Sequence, residues 1–368
     1  MGCDGVGRNQ PSDRVEEFRI ADGAFAQIID RGIPWPKLGR NPREVSAMRD
    51  TRIKETLGLW ADIANELRLD ASDFRHKVLW QKNEPNRSHV VLELIGANLK
   101  LVLKKIFLPT DMRLTESMEM QQKAAQAMPR NQGLFAPEVL YVSQDGSLAV
   151  MEFLQGKTLN DHLEAGKPED RILRRSGKWL AAFHSSFQTT TRTYQPHFMV
   201  NHIQRVAQKV ALDQVKVPER DLFLRCCDRI PAMADKCGDR QTISAKKHGD
   251  LNVRNLMIGP PGVVGLDFAP ESAAPVGFDI TRLLMDYAEL FQDPSDVLRG
   301  QLLSSQTTKA FFDGYSLVGV DDPAVEFLPF VQILNDWRII PSKSSDRSLR
   351  QSHRLGNLLY LAQKGFGT

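Results

Sequence analysis

The chain has 368 residues, of which 42% are hydrophobic and 25% charged, with a formal net charge of +3. That is globular composition with enough apolar material for two lobes and their cores. So small a charge excess gives no basis for a nucleic-acid partner, and no apolar run approaches the ~20 residues needed to span a membrane.

Residues 1 to about 40 are rich in Gly, Pro and charge, and are expected to be loosely packed. The opening Met-Gly-Cys-Asp-Gly-Val-Gly-Arg has no apolar h-region, so no secretory signal is expected. Val6 stands where a myristoylation pattern needs Ser or Thr. Cys3, Cys226, Cys227 and Cys237 lack metal-ligand spacing, which fits free thiols and a cytoplasmic location. From Pro42 to Leu67, Val45, Met48, Ile53, Leu57, Trp60, Ile63, Ala64 and Leu67 recur at near-helical spacing. The expectation is a helix packed on a neighbouring lobe.

Strand-like runs follow at 74–81, 89–95 and 99–107, broken by Asn83-Glu84-Pro85-Asn86-Arg87 and Gly96-Ala97-Asn98. A helix is expected over Leu114–Met128, ending before Pro129. Two more strands, 138–142 and 147–153, flank Asp145-Gly146 as a hairpin turn. Beyond residue 157 the chain reads as mostly helical. Helices are expected at 172–187, 308–315, 323–337 and 355–363.

Residues 248–255 read His-Gly-Asp-Leu-Asn-Val-Arg-Asn, and Leu266-Asp267-Phe268 lies just beyond. One carboxylate, one amide oxygen and a second carboxylate on adjacent loops suit phosphoryl transfer from ATP. The first carboxylate orients the acceptor hydroxyl and takes its proton, and the other two groups hold magnesium on the phosphates. Taken singly, each residue is an ordinary turn or cap residue. The joint pattern, continued by Gly277-Phe278-Asp279-Ile280-Thr281-Arg282-Leu283-Leu284, is far more specific.

These segments resemble the catalytic loop of the aminoglycoside phosphotransferase/choline kinase group, the small-molecule branch of the protein-kinase-like fold. Gly249 replaces the arginine of the protein-kinase His-Arg-Asp motif, and Ala269 replaces the glycine of Asp-Phe-Gly. Both departures point to the small-molecule branch. The resemblance covers roughly residues 74–300 and is specific around 248–284. It implies an α+β, bilobal fold with a small antiparallel-sheet N-lobe and a larger, mostly helical C-lobe. The expected divisions are an extension over 1–73, an N-lobe over 74–154 and a C-lobe over 155–368.

The resemblance further implies site roles. Asp250 is the expected catalytic base, Asn255 and Asp267 the metal ligands for Mg2+, and His248 and Asp279 structural supports. His184 reads as structural. The register of Val102-Leu103-Lys104-Lys105-Ile106 selects Lys104 to anchor ATP. Neighbouring strand residues face opposite ways, so Lys105 is expected to point away. Glu116, with Glu119 as the alternative, is the expected acidic partner of that lysine. The hinge falls at Met151, Glu152, Phe153 and Leu154, with Met151 and Phe153 counted in the nucleotide site. Residues 81–88 contain no glycine, so the triphosphate grip is open among backbone amides, Arg87 and Ser88.

The function implied is ATP-dependent transfer to a hydroxyl of a small molecule of the aminoglycoside, amino-alcohol or sugar kind. The alternatives are a glycan, lipopolysaccharide-core or protein kinase of the same fold, or a catalytically silent nucleotide-binding scaffold. For the acceptor, Asp286, Glu289, Asp293 and Asp296 suit a cation, and Tyr287, Phe291 and Trp337 offer faces to a quaternary amine. Lys343, Arg347, Arg350 and Arg354 suit an anion instead.

Overall fold

The computed structural model describes residues 51–109 and 113–368. The expectations for the first forty residues, for the start of the Pro42–Leu67 helix and for Cys3 lie outside these residues.

The N-lobe is a five-stranded antiparallel sheet of order β1-β2-β3-β6-β5. It comprises β1 (Arg75–Glu84), β2 (Arg87–Ile95), β3 (Lys100–Leu108), β5 (Val139–Val142) and β6 (Leu148–Glu152). The two faces bury different cores, because alternate residues point to opposite sides. Val90, Leu92, Leu94, Leu101, Leu103, Leu148 and Val150 pack beneath helix α1 (Trp60–Glu66), which contributes Trp60, Ile63 and Ala64. On the other face, Val102, Ile106, Ala149 and Met151 meet Leu114 and Met118 of α2 (Arg113–Ala127). Residues 51–58 are helical and precede α1.

The C-lobe contains α3 (Leu159–Glu164), α4 (Glu169–Ser185), α5 (His197–Ala211), α6 (Arg220–Cys237), α7 (Gly277–Leu290), α8 (Ser305–Phe312), α9 (Pro323–Arg338) and α10 (Leu349–Phe366). It also holds two small sheets that helical periodicity does not reveal. One has the order β4-β11-β10-β7, from Leu134–Phe135, Val263–Gly265, Leu256–Ile258 and Lys157–Thr158. The other is β12-β9-β8, from Ala273–Pro275, Gln241–Lys246 and Thr190–Thr193. Five of these seven strands have only two or three residues, too few to establish a period of two in the sequence.

These short strands position the loops of interest. The β10–β11 hairpin pairs Leu256 with Gly265, and the N–H of Leu266 donates to the carbonyl of Asn255 at 2.8 Å. Asn255 and Asp267 therefore emerge at the same end of one hairpin. Gly265 is required there: a Cβ would lie 2.0 Å from the Trp179 ring. Trp179 stacks on Phe183 and donates its indole N–H to the Phe135 carbonyl at 2.9 Å.

Candidate active site

Three residues of α7, at i, i+3 and i+7, fasten the loop that carries Asp250. They lie near one side of the helix, as this spacing requires. Asp279 accepts from the backbone N–H of His248 (2.7 Å) and of Gly249 (3.0 Å). Arg282 binds the Asp250 carboxylate at 2.5 Å. Asp286 accepts from the N–H of Val253 at 3.2 Å. Asp279 thus tethers the preceding loop instead of capping its own helix, whose N-cap is Val276. It is buried, and its Oδ2 also meets His184 Nε2 at 3.2 Å. His184 is in turn braced by the Tyr315 hydroxyl at 2.8 Å.

His248 is fully buried against Phe268, with ring centroids 4.5 Å apart. Burial above all holds its imidazole below the ordinary histidine value, so it is a neutral packing element at pH 7. Its carbonyl accepts from the N–H of Ala269 at 2.9 Å, which joins the two loops. The two motif departures meet here. Gly249 has φ +80°, and a Cβ on it would lie 2.7 Å from Cβ of Ala269. With alanine at 269, only glycine fits at 249 without movement.

Asn255 donates from Nδ2 to the Asp250 carbonyl at 2.7 Å, which turns its Oδ1 away from that bond. Asp267 has φ +56°, a left-handed conformation that Asp tolerates better than most residues. Its carboxylate is 55% exposed and takes Lys104 Nζ at 2.6 Å. The Lys104 cation is the main influence holding Asp267 below the ordinary carboxylate value. Lys105 points to the other side, with Nζ 2.6 Å from Ser147 Oγ and 4.0 Å from Asp145.

The structure does not bring every expected residue together. Glu116 and Glu119 lie on the exposed side of α2, and Lys104 has Asp267 as its acid. The tie from α2 to the C-lobe is instead Lys123 with Glu271, which also holds Lys246 at 2.6 Å. Glu271 follows Ala269-Pro270, a stretch whose sequence gives no sign of this contact. Met151 is buried between Val102 and Val139, and the Phe153 N–H donates to the Lys100 carbonyl at 3.3 Å.

Most of the expected acceptor-binding groups are already engaged. Glu289 is fully buried, and burial pushes it well above the ordinary carboxylate range even beside Arg354 at 2.6 Å. Arg354 also reaches Asp286 (3.6 Å) and Asp336 (3.5 Å). Asp293 caps the N–H of Ser295. Trp337 is completely buried, with its indole N–H on the Pro218 carbonyl, and Tyr287 donates its hydroxyl to Glu169. Trp337 and Tyr287 are therefore core residues and offer no exposed face to an amine. Arg347 binds the Pro341 and Ser342 carbonyls, and Arg350 binds Asn160 at 2.7 Å. One residue to which sequence reasoning gave no role is Arg282. Its position three residues after Asp279 is the only trace of it in the sequence.

A profile of the APH phosphotransferase enzyme family matches residues 80–314, which include Lys104, the loop of Asp250, Asp267 and α7. The chain belongs to the APH phosphotransferase enzyme family. Membership makes it a phosphotransferase with an alcohol group as acceptor, a kinase. No curated protein sequence matches the chain. Among solved structures, it is similar to an amicoumacin kinase in complex with AMP-PNP, Ca2+ and Ami, with a TM-score of 0.52 at 12% identity. That alignment covers 88% of this chain and 96% of the other. It is also similar to an ethanolamine kinase of Plasmodium vivax (TM-score 0.51, 12% identity, 96% and 95% covered). A choline/ethanolamine kinase family protein of Mesorhizobium loti is comparable (TM-score 0.51, 13% identity, 83% and 98% covered). At such identities the likeness shows the fold, the bilobal α+β architecture of kinases. No helix among the described residues is long and apolar enough to cross a membrane.

Proposed function

We propose that this kinase transfers the γ-phosphate of ATP to a hydroxyl of a small molecule of the aminoglycoside, amino-alcohol or sugar kind. The observation that carries the reading is the Lys104–Asp267 ion pair, which joins β3 of the N-lobe to the turn after β11. It places a cation and a carboxylate beside the loop of Asp250, where a triphosphate needs both. Asp250 acts as the base: it aligns the acceptor hydroxyl and receives its proton late in transfer. Arg282 fixes the direction of that carboxylate, and Asp279 and Asp286 fix the loop beneath it.

The residues fit a hard divalent cation. Asp267 is half exposed, Asn255 has an oxygen turned away from its hydrogen bond, and both are oxygen donors. Bound Mg2+ supplies charge neutralisation on the phosphate oxygens. Two protein ligands suffice where phosphates and water complete the shell.

The test is ATP binding with and without Mg2+, in the native chain and in Asp267→Ala. Magnesium-dependent binding that the substitution weakens at least tenfold is expected. Binding to neither protein, in either condition, sinks the reading and promotes the silent scaffold. A companion pair separates the two lysines. Lys104→Ala is expected to weaken ATP about tenfold or more, because it removes a charge-assisted contact. Lys105→Ala is expected to leave affinity within twofold, and calorimetric titration reads both.

A further inference from the structure

A loop that binds phosphate with its main chain needs N–H groups to spare. The β1–β2 hairpin has few. Pairing runs to its tip at Glu84 and Arg87, and of the two turn residues Pro85 has no N–H. Side chains can then supply the positive charge, and the register gives which of them share the face of Lys104.

Residues directly paired across antiparallel strands project to the same face. Lys82 pairs with His89, Glu84 with Arg87, Trp80 with Val91, and Val91 with Lys104. Lys82, Arg87, His89 and Lys104 therefore share the face that looks toward Asp267. The neighbours check this parity. Val90 is buried in the opposite core, beneath α1. Asn83 pairs with Ser88 and takes a 2.8 Å hydrogen bond from Arg52, so Ser88 also points away from Lys104. Ser88, one of the groups left open in the sequence, faces the wrong side.

His89 is half-buried, and burial first, then the Lys104 cation, hold its imidazole below the ordinary histidine value. Lys82, Arg87 and Asp267 also act on it electrostatically. Lys82 rests on Glu84 at 2.9 Å, half-exposed and within the same surface. Three cations and an imidazole face two carboxylates, an excess that suits a polyanion.

We propose that His89, with Lys82 across the hairpin and Lys104 on β3, grips the triphosphate, side chains doing what a glycine-rich main chain does elsewhere. The inference rests on the phosphotransferase reading and names how this chain holds the phosphates.

Competition titration of the full chain with Mg-ATP and with adenosine tests it. His89→Ala and Lys82→Ala are each expected to weaken Mg-ATP about tenfold, with adenosine affinity unchanged within twofold. His89→Gln, which keeps an N–H donor, is expected to stay within threefold of the native chain. Ser88→Ala, on the opposite face of the same hairpin, is expected to change neither ligand. Equal losses for ATP and adenosine would make His89 a wall of the adenine site and overturn the grip. Unchanged ATP affinity in both alanine variants would overturn it as well. A native chain that binds neither ligand overturns the phosphotransferase reading itself, which is a different result from either of these.

Discussion

Asp250→Asn is expected to lower ADP release in the presence of an accepted hydroxyl substrate by about 10²–10⁴-fold, the range for loss of a positioned general base. The substitution preserves shape and removes the proton acceptor. It also removes the charge that Arg282 meets at 2.5 Å, and the Arg282 side chain is only 20% exposed. Mg-ATP affinity is expected to stay within a fewfold, because Lys104, Asn255 and Asp267 are untouched. A variant with native turnover would remove Asp250 from the chemistry. A variant that lost ATP binding in parallel would show that the loop had collapsed, and the thermal midpoint separates the two cases.

The second large effect is on stability. Asp279→Ala is expected to cost about 2–5 kcal/mol, because it leaves two backbone N–H groups and His184 without their acceptor in a buried setting. Urea denaturation measures this, and a loss below about 1 kcal/mol would mean that the loop finds other acceptors. The pH dependence has a definite sign. Burial alone would raise the Asp279 pKa, but hydrogen bonds and charge from His184, together with His248 and the Gly249 N–H, bring it below its ordinary value of 3.8. A depressed carboxylate contributes stability that is fully present above its unfolded value and is lost as the pH falls through the folded one. The native chain is therefore expected to lose this contribution only below about pH 4, and Asp279→Ala to show a flatter acid limb.

Much of the candidate site could be named from the sequence because the spacing that suggests it is local. Asp250, Asn255 and Asp267 lie within one loop, one short hairpin and one turn, so their spacing carries the information. The alternation of strand residues likewise separated Lys104 from Lys105. The five strands of the N-lobe were visible from their apolar runs and turn residues, to within a few residues at each end. The β1–β2 tip shows the limit: a five-residue break was expected at 83–87, and the strands in fact pair through to Glu84 and Arg87.

Contacts made across long stretches of chain were not legible. Nothing near residue 250 indicates that Arg282 will hold its carboxylate, or that Arg354 of α10 will occupy the acids of α7. A charged residue on a helix reads the same whether it faces solvent, a ligand or a buried partner, and only the packing of α7 against α9 and α10 decides among these. Trp337 is the plain case: an aromatic in a helical pattern, read as a face for a quaternary amine, is sealed in the core by Phe223 and the Pro218 carbonyl. The sequence alone determined the fold class and the reaction type, and it named the candidate residues of the Asp250 loop, since these rest on local periodicity and neighbouring residues. Only the tertiary structure decided which charges a ligand can still reach, because it sets their burial: Glu289 is sealed away beside Arg354, whereas the Asp267 carboxylate that Lys104 meets is half exposed.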